Sequence, residues 1–304
     1  MIYITGTSGF VGQHLTDFFS KQGIGWTSIN LRDSNWQETV SLLEDDVIIH
    51  LAGKAHDHKG IITEEEFFQV NTELTKVIYQ FFLKERATVF IHISTIGSVN
   101  ELGSEKMLTE DSDAHPVSSY GKSKRTAEQF IISNLSNLPQ KKTFILRPSM
   151  IHGPGDKGNL ALLYKAISSG IPYVLGSYNN KRSFLSIDNF VFILKKIIDN
   201  TESLNSGIYN VVDDEPVSTN QIINLMTEVK NKKARIWKLP KVFINGLSKV
   251  GDFLKLPLNT KRLAKMTSDL VVSNDKIKKA LNIKEMPIAA LDGLRRTIAS
   301  FSDK

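Results

Sequence analysis

Met1-Ile-Tyr-Ile-Thr-Gly-Thr-Ser-Gly-Phe-Val-Gly12 decides the fold. A short apolar run, Ile2 to Thr5, leads straight into glycines at 6, 9 and 12. Behind them Val11, Leu15, Phe18 and Phe19 recur at the spacing of one helical face. Strand, glycine loop and helix in that order put small residues where the backbone must turn tightly and an anion must come close. The free N–H groups and the dipole of such a helix start favour a pyrophosphate. The segment therefore predicts a dinucleotide loop made by Gly6, Ser8, Gly9, Phe10, Val11 and Gly12.

The alternation continues outward from this loop. Strands are predicted at Trp26 to Asn30, Val47 to Leu51, Val89 to Ser94, Phe144 to Arg147 and Ile208 to Val212. Between the third and fourth strands of the chain, Phe67, Val70, Leu74, Val77, Ile78 and Phe81 mark the apolar stripe of a helix. Short apolar strands alternating with helices are the pattern of βαβ units, so the fold class is α/β, with a Rossmann-type doubly wound parallel sheet. After Pro148 glycine and proline punctuate the chain, and after Pro216 it turns helical and lysine-rich, with breaks at Pro240 and Pro257. Residues 1–150 are expected to form the dinucleotide-binding domain. Residues 151–304 are expected to form mainly a smaller, discontinuous substrate-binding lobe, with about 184–212 returning to the sheet.

Composition narrows the chemistry. With 304 residues, 41% hydrophobic and 23% charged, the chain is an ordinary globular protein with enough length for a full core. The absence of cysteine removes disulfides, thiolate catalysis and cysteine-ligated zinc, and no metal site is predicted. The N-terminus opens into a strand without a basic and apolar leader, so a cytoplasmic location is expected. The longest apolar stretch, Phe184 to Ile198, is interrupted by Asp188, Lys195 and Lys196, so no transmembrane helix is expected.

Further site residues are read from the places where strands end. The second strand should finish at the adenosine ribose, where an acid suits a free 2′-hydroxyl and an arginine a 2′-phosphate. Arg32 stands there with Asp33 beside it, and it tilts the cofactor toward NADP(H) over NAD(H). Leu51, Ala52 and Gly53, at the end of the third strand, are small enough for a ribose or adenine to pass. Tyr120 and Lys124 lie four apart at a helix start, so both project from one face. A cation beside a phenol lowers its pKa and makes tyrosine a usable acid/base. Ser94 and Thr95, at the C-terminal end of the Val89 strand, can offer a hydroxyl to the oxygen that the tyrosine protonates.

With these pieces the chain resembles the extended short-chain dehydrogenase/reductases, in their NAD-dependent epimerase/dehydratase branch. The likeness rests on Thr5 to Gly12, Asp46 to Gly53, Val70-Asn71, Ser94-Thr95-Ile96, Thr109-Glu110 with Pro116, Tyr120 to Lys124, Leu146-Arg-Pro148, His152 to Gly155 and Lys181-Arg-Ser-Phe184. Gly153 to Asn159 and Leu175 to Ser183 are similar to a subgroup that handles UDP-sugars for surface polysaccharides. The resemblance implies Tyr120 as general acid/base, Lys124 on the nicotinamide ribose and Thr95 on the C4 oxygen. It implies Arg182 on the nucleotide diphosphate, Asn159 as a polar substrate contact, Pro148 among the cofactor contacts and Asn71 as a support of the active-site backbone. Met150 replaces a common asparagine, His152 a common tyrosine and Leu74 a common glycine, which points to a more apolar pocket and altered helix packing.

The resemblance implies an oxidoreductase at C4 of a UDP-sugar. Reduction of a UDP-4-keto-6-deoxy-N-acetylhexosamine is the expectation, because Arg32 suits NADP and Met150 suits a sugar without a 6-hydroxyl. The alternative is a UDP-glucose or UDP-GlcNAc 4-epimerase with bound NAD. A dinucleotide-sensing regulator without catalysis is a further reading, weakened by the presence of Tyr120, Lys124 and Thr95. The resemblance also implies a homodimer, through helices starting near Phe67 and Tyr120. Of the net charge of +6, the segment Lys230 to Lys265 alone carries eleven basic residues and one acid, Asp252. No nucleic-acid partner is expected. The segment holds an apolar stripe, Val242, Phe243, Leu247, Val250, Phe253 and Leu254, with Lys241, Lys249 and Lys255 nearby. It fits either packing inside the substrate lobe or weak peripheral contact with an anionic membrane.

Overall fold

A computed structural model describes residues 1–55, 61–135, 140–231, 233–254 and 259–302. Lys255 and Pro257 lie outside the described residues. The strands are β1 Ile2–Thr5, β2 Trp26–Ile29, β3 Val47–His50, β4 Val89–Ile93, β5 Lys142–Pro148, β6 Met150–His152, β7 Phe184–Ser186 and β8 Gly207–Val211. Six of them pair in parallel in the order β2-β1-β3-β4-β5-β8, and β6 and β7 form a separate parallel pair.

The centre of the sheet is dry on both faces, as a parallel sheet covered by helices must be. On one face the helices Phe10–Lys21 and Ile187–Asp199 place Leu15, Phe19, Phe190, Ile193 and Leu194 against Ile4, Ile49, Ile91 and Phe144. On the other, Leu74–Lys84 and Ser119–Ser133 place Ile78, Tyr79, Phe82 and Ile131 against Ile48, Phe90 and Ile145. The chain leaves the sheet after Pro148 and comes back through Ile187–Asp199 and β8, which pairs with β5 from Phe144↔Gly207 to Pro148↔Val211. Residues 184–186 do not return, because β7 pairs with β6.

Two local readings differ from the spacing in the sequence. The helical run over residues 64–84 contains a wide turn, Gln69–Glu73, between Glu64–Phe68 and Leu74–Lys84. That turn adds a residue and rotates the helix beyond it. Asn71, Thr72 and Thr75 become buried while Val77 is left exposed, so the buried stripe is not the purely apolar one. Between β2 and β3 the described chain makes only the short helix Trp36–Thr39, whose Trp36 ring meets Phe81 edge-on at 4.8 Å. No strand lies outside β2 in the described sheet, and the chain direction switches between β1 and β3. Ligands of open α/β sheets sit at the carboxyl ends of the strands flanking such a switch.

The smaller lobe has its own cores. Leu160 and Tyr164 pack with Ile222, Leu225, Met226, Leu294 and Ile298, and Tyr173 and Leu175 pack with Ile223, Ile244 and Leu263.

Candidate active site

The glycine loop sits at the switch point. Gly6 has φ of +74°, and a Cβ there would lie 2.7 Å from the Ala52 nitrogen across the mouth of β3. A Cβ on Gly12 would run into the Gly6 carbonyl oxygen. Gly9 begins the helix Phe10–Lys21 with no side-chain cap, and the first intrahelical bond runs from Gln13 N–H to the Gly9 carbonyl at 2.9 Å. The N–H groups of Phe10, Val11 and Gly12 precede that bond and carry the positive end of the helix dipole. Gly6, Ser8, Gly9, Phe10, Val11 and Gly12 all line one cleft of about 780 Å³, which continues past Leu51, Gly53 and Pro148 to Thr95, Tyr120 and Lys124. An uncapped helix start on a long cleft fits the diphosphate of a nicotinamide dinucleotide.

Two predicted cofactor residues are placed differently. Ala52 does not line the cleft; its N–H donates to Thr5 Oγ1 at 3.1 Å and its backbone faces Gly6. Arg32 is exposed in the turn after β2 and is not among the residues that line the cleft.

The catalytic candidates converge. Ser118 caps the helix Ser119–Ser133 by accepting from Gly121 N–H at 3.0 Å, and one turn of helix presents both Tyr120 and Lys124 to the cleft. Tyr120 and Thr95 line the cleft together, and the Thr95 side chain acts on the phenol against the effect of burial. Lys124 is buried and donates to the Ile93 carbonyl at 2.8 Å, which ties the helix to the end of β4. Burial pushes the Tyr120 phenol up to about 12, with Glu101 adding and the Thr95 side chain opposing. The phenol is thus raised where the sequence led to the expectation of a lowered one: desolvation outweighs the effect of Thr95. Burial draws Lys124 down to about 8, with Glu128 opposing.

Ser94 and Thr95 part company. The Ser94 hydroxyl donates to Glu128 Oε1 at 2.5 Å, which leaves Thr95 as the residue of the pair whose side chain acts on Tyr120. Glu128 also takes Ser98 Oγ at 2.7 Å and Arg147 through Nε and Nη2 at 2.9 and 2.8 Å, all out of water. Asn71 accepts from Lys54 N–H at 2.7 Å and donates to the Lys54 carbonyl and to Ser123 Oγ, both at 3.0 Å. That side chain pins the loop after β3 to the catalytic helix.

At the far end of the cleft stand Asn159, the first residue of the helix Asn159–Ser168, and Arg182. Arg182 donates to the Lys265 and Ser268 carbonyls at 2.9 and 3.2 Å, and burial lowers its pKa. Four lining residues escaped the sequence reading. Lys157 and Lys265 add positive charge near Arg182, and Lys265 belongs to the basic segment otherwise read as surface. Glu101 and Asn100 line the wall near Tyr120. Glu101 accepts from the N–H groups of Val117 and Ser118 at 3.1 and 2.7 Å, fixing the start of the catalytic helix. Lys157 falls within a glycine-rich motif, which was the available signal; Glu101 had none. Met150 lines the cleft with Phe184 and Leu270. His152 is away from it, fully buried, with Nδ1 2.9 Å from Thr297 Oγ1.

A doubly wound sheet with a dinucleotide loop at its switch point, and a Tyr/Lys pair beyond it, defines the class as a nicotinamide-dependent α/β oxidoreductase fold. The chain belongs to the NAD dependent epimerase/dehydratase family, whose model matches residues 2–211. It is 31% identical over 262 residues to a UDP-glucose 4-epimerase of Vibrio cholerae, covering 79% of this chain and 78% of that one. It is 25% identical over 260 residues to the N-acetyl-α-D-glucosaminyl-diphospho-ditrans,octacis-undecaprenol 4-epimerase of Escherichia coli O157:H7, covering 79% and 75%. The fold is that of the Bacillus cereus UDP-glucuronic acid 4-epimerase solved with NAD, at a TM-score of 0.76 and 18% identity over 99% of this chain and 98% of that one.

Proposed function

We propose that the protein is a nicotinamide-dependent oxidoreductase acting at C4 of a UDP-sugar, and that its reaction is 4-epimerisation. The observation that carries the reading is the meeting of Tyr120, Thr95 and buried Lys124 on one cleft that joins an uncapped helix N-terminus to Arg182.

When bound, the dinucleotide supplies hydride exchange with C4; Gly6 to Gly12 hold its diphosphate, and Leu51, Gly53 and Pro148 flank it. Tyr120 Oη carries the proton of the 4-hydroxyl, and Thr95 Oγ1 holds the same oxygen in line. A phenol held near 12 is a proton donor at neutral pH, ready for an alkoxide. Taking a proton from a sugar hydroxyl needs that value lowered, and the positive nicotinamide ring of the oxidised dinucleotide, bound beside Tyr120 and Lys124, would add the charge to do it. Arg182, with Lys157 and Lys265, holds the sugar's diphosphate, where a guanidinium fork matches phosphate oxygens. Asn159 offers a neutral contact beside them.

Two observations favour epimerisation. Arg32 is exposed and does not line the cleft, which weakens the lean toward NADP(H). The Vibrio and Escherichia relatives are both named 4-epimerases of sugars carried on a diphosphate. The second reading is reduction of a UDP-4-keto-6-deoxy-N-acetylhexosamine, favoured by Met150, Phe184 and Leu270 on the wall where a sugar without a 6-hydroxyl would rest. Either product would feed surface-polysaccharide synthesis. A homodimer belongs to the same proposal: the helix Glu64–Phe68 packs beside Ser119–Ser133, and Val77 and Ile132 are exposed on this side of the sheet.

The test mixes the protein with UDP-glucose, UDP-galactose or their N-acetylated forms without added reductant, and separately with the 4-keto sugar and NADH or NADPH. Interconversion in the first mixture is expected. A fall in absorbance at 340 nm in the second, with no interconversion in the first, establishes the reductase instead.

A further inference from the structure

The helix Lys241–Phe253 has two unlike sides. Ile244, Ser248 and Gly251 are buried, and Ile244 packs in the core formed by Tyr173, Leu175, Ile223 and Leu263. The opposite side carries the stripe noted in the sequence, and none of it is covered. Val242 is 84% exposed, Phe253 86%, and Phe243, Leu247, Val250 and Leu254 between 45 and 57%. At 100° per residue these six side chains fall within one arc, which also holds Gly246, where an added Cβ would meet nothing within 4 Å. Packing inside the lobe is thereby corrected: the buried side of the helix satisfies the lobe, and the apolar side faces out. Soluble monomers seldom leave so continuous an apolar face in water.

The charge of this helix and its flanks points to what covers the face. Lys249 stands at the edge of the apolar arc, and Lys233, Arg235, Lys238, Lys241 and Lys261 on the same segment are exposed. The single acid of the segment, Asp252, is engaged with Thr260 N–H at 3.0 Å. Apolar groups along one side of a helix, with Lys249 at their edge, further lysines on the flanks and almost no acid, fit a helix lying in the interface of an anionic bilayer. The described residues contain no helix long and apolar enough to cross a membrane, so such contact would be peripheral.

We propose that the Lys241–Phe253 face docks the protein on an anionic lipid surface. The neighbouring helix Thr260–Thr267 packs against the docking helix and carries Lys265 into the cleft, so the substrate end of the site is held close to that surface. Docking does not depend on which reaction the site performs.

The test spins the full-length protein with vesicles of phosphatidylcholine alone, or with about one third phosphatidylglycerol, in about 50 and 500 mM salt. Roughly tenfold more protein is expected to pellet with the anionic vesicles at low salt, and most of it should be released at high salt. The Val242→Ser/Phe253→Ser double variant should stay in the supernatant while turning over soluble nucleotide sugar like the parent. Lys249→Glu, a surface change that leaves the apolar face intact, should weaken pelleting several-fold. Failure of the parent to pellet with either vesicle overturns the proposal, and so does unchanged pelleting of a folded double variant. A change in sedimentation coefficient of the double variant without lipid, with no vesicle binding by the parent, assigns the face to contact between copies of the chain.

Discussion

Arg147 on β5 and Glu128 on the catalytic helix form a two-pronged ion pair with 1% and 0% of their side chains exposed. Through Ser94 and Ser98 the same carboxylate grips the end of β4, and Arg125 reaches it at 3.1 Å from the helix surface. The pair therefore sets where the Tyr120 helix meets the sheet. Leaving one member of such a pair buried alone costs about 3–5 kcal/mol, whereas replacing both by apolar residues can be nearly neutral. Glu128→Gln is expected to lower the unfolding free energy by an amount in that range, and Glu128→Leu with Arg147→Met to lower it clearly less. Equal losses in chemical denaturation would show that the pair does not act as a unit.

Tyr120→Phe removes the proton carrier and leaves the ring in place beside Phe67, 6.1 Å away. Turnover should fall about 10²–10⁴-fold while dinucleotide binding, read by fluorescence titration, changes little. A variant with near-parental turnover would exclude the acid/base role.

Arg182→Ala should act on substrate binding. Charged hydrogen bonds contribute about 1.5–3 kcal/mol, so KM for the nucleotide sugar should rise roughly 10- to 100-fold with a smaller change in kcat. Steady-state kinetics separates the two, and a loss confined to kcat would place Arg182 elsewhere than on the diphosphate.

Gly12→Ala tests the cofactor loop. Its Cβ would meet the Gly6 carbonyl and the Thr7 backbone, neither of which can swing aside as a side-chain tip can. Affinity for the dinucleotide should fall by more than about tenfold, because the amides at the helix start are displaced. Gly155→Ala is a fitting control, since nothing lies near its added Cβ, although its φ of +85° carries a backbone cost of its own.

Asp213 and His152, 3.9 Å apart and both buried, should oppose each other in the pH dependence of stability. Burial raises Asp213 to about 7, so its contribution is full below its unfolded value and is lost as pH rises toward 7. Burial lowers His152 to about 4, so its contribution is full above 6.5 and is lost as pH falls toward 4. The two slopes cancel across about pH 4–6.5. Asp213→Asn removes one of them, so the variant's stability should climb with pH across that window more steeply than the parent's. Parallel curves in thermal melts from pH 4 to 7 would rule the opposition out.

The sequence by itself determined the elements and the order of the chemistry. Apolar runs such as Val47 to His50 and Val89 to Ile93 read as strands from their length and from the helices that alternate with them, since continuous hydrophobicity of that length suits a strand buried on both faces. Gly6, Gly9 and Gly12 announced their loop because the constraint is local: a positive φ and a close backbone approach admit no side chain. Tyr120 and Lys124 could be paired because four residues of helix span one turn. What only the tertiary structure decided involves partners far apart in the chain. Ser94 was indistinguishable from Thr95 until Glu128, 34 residues on, claimed its hydroxyl. That Arg32 stands exposed in the turn after β2, outside the lining of the cleft, followed only from the fold. The wide turn at Gln69–Glu73 changed which side of its helix is buried, and no spacing rule anticipates an inserted residue. Lys265 entered the cleft, and the Val242–Leu254 stripe stayed out of the core, because burial depends on the packing of whole elements, a sum that no short window of sequence contains.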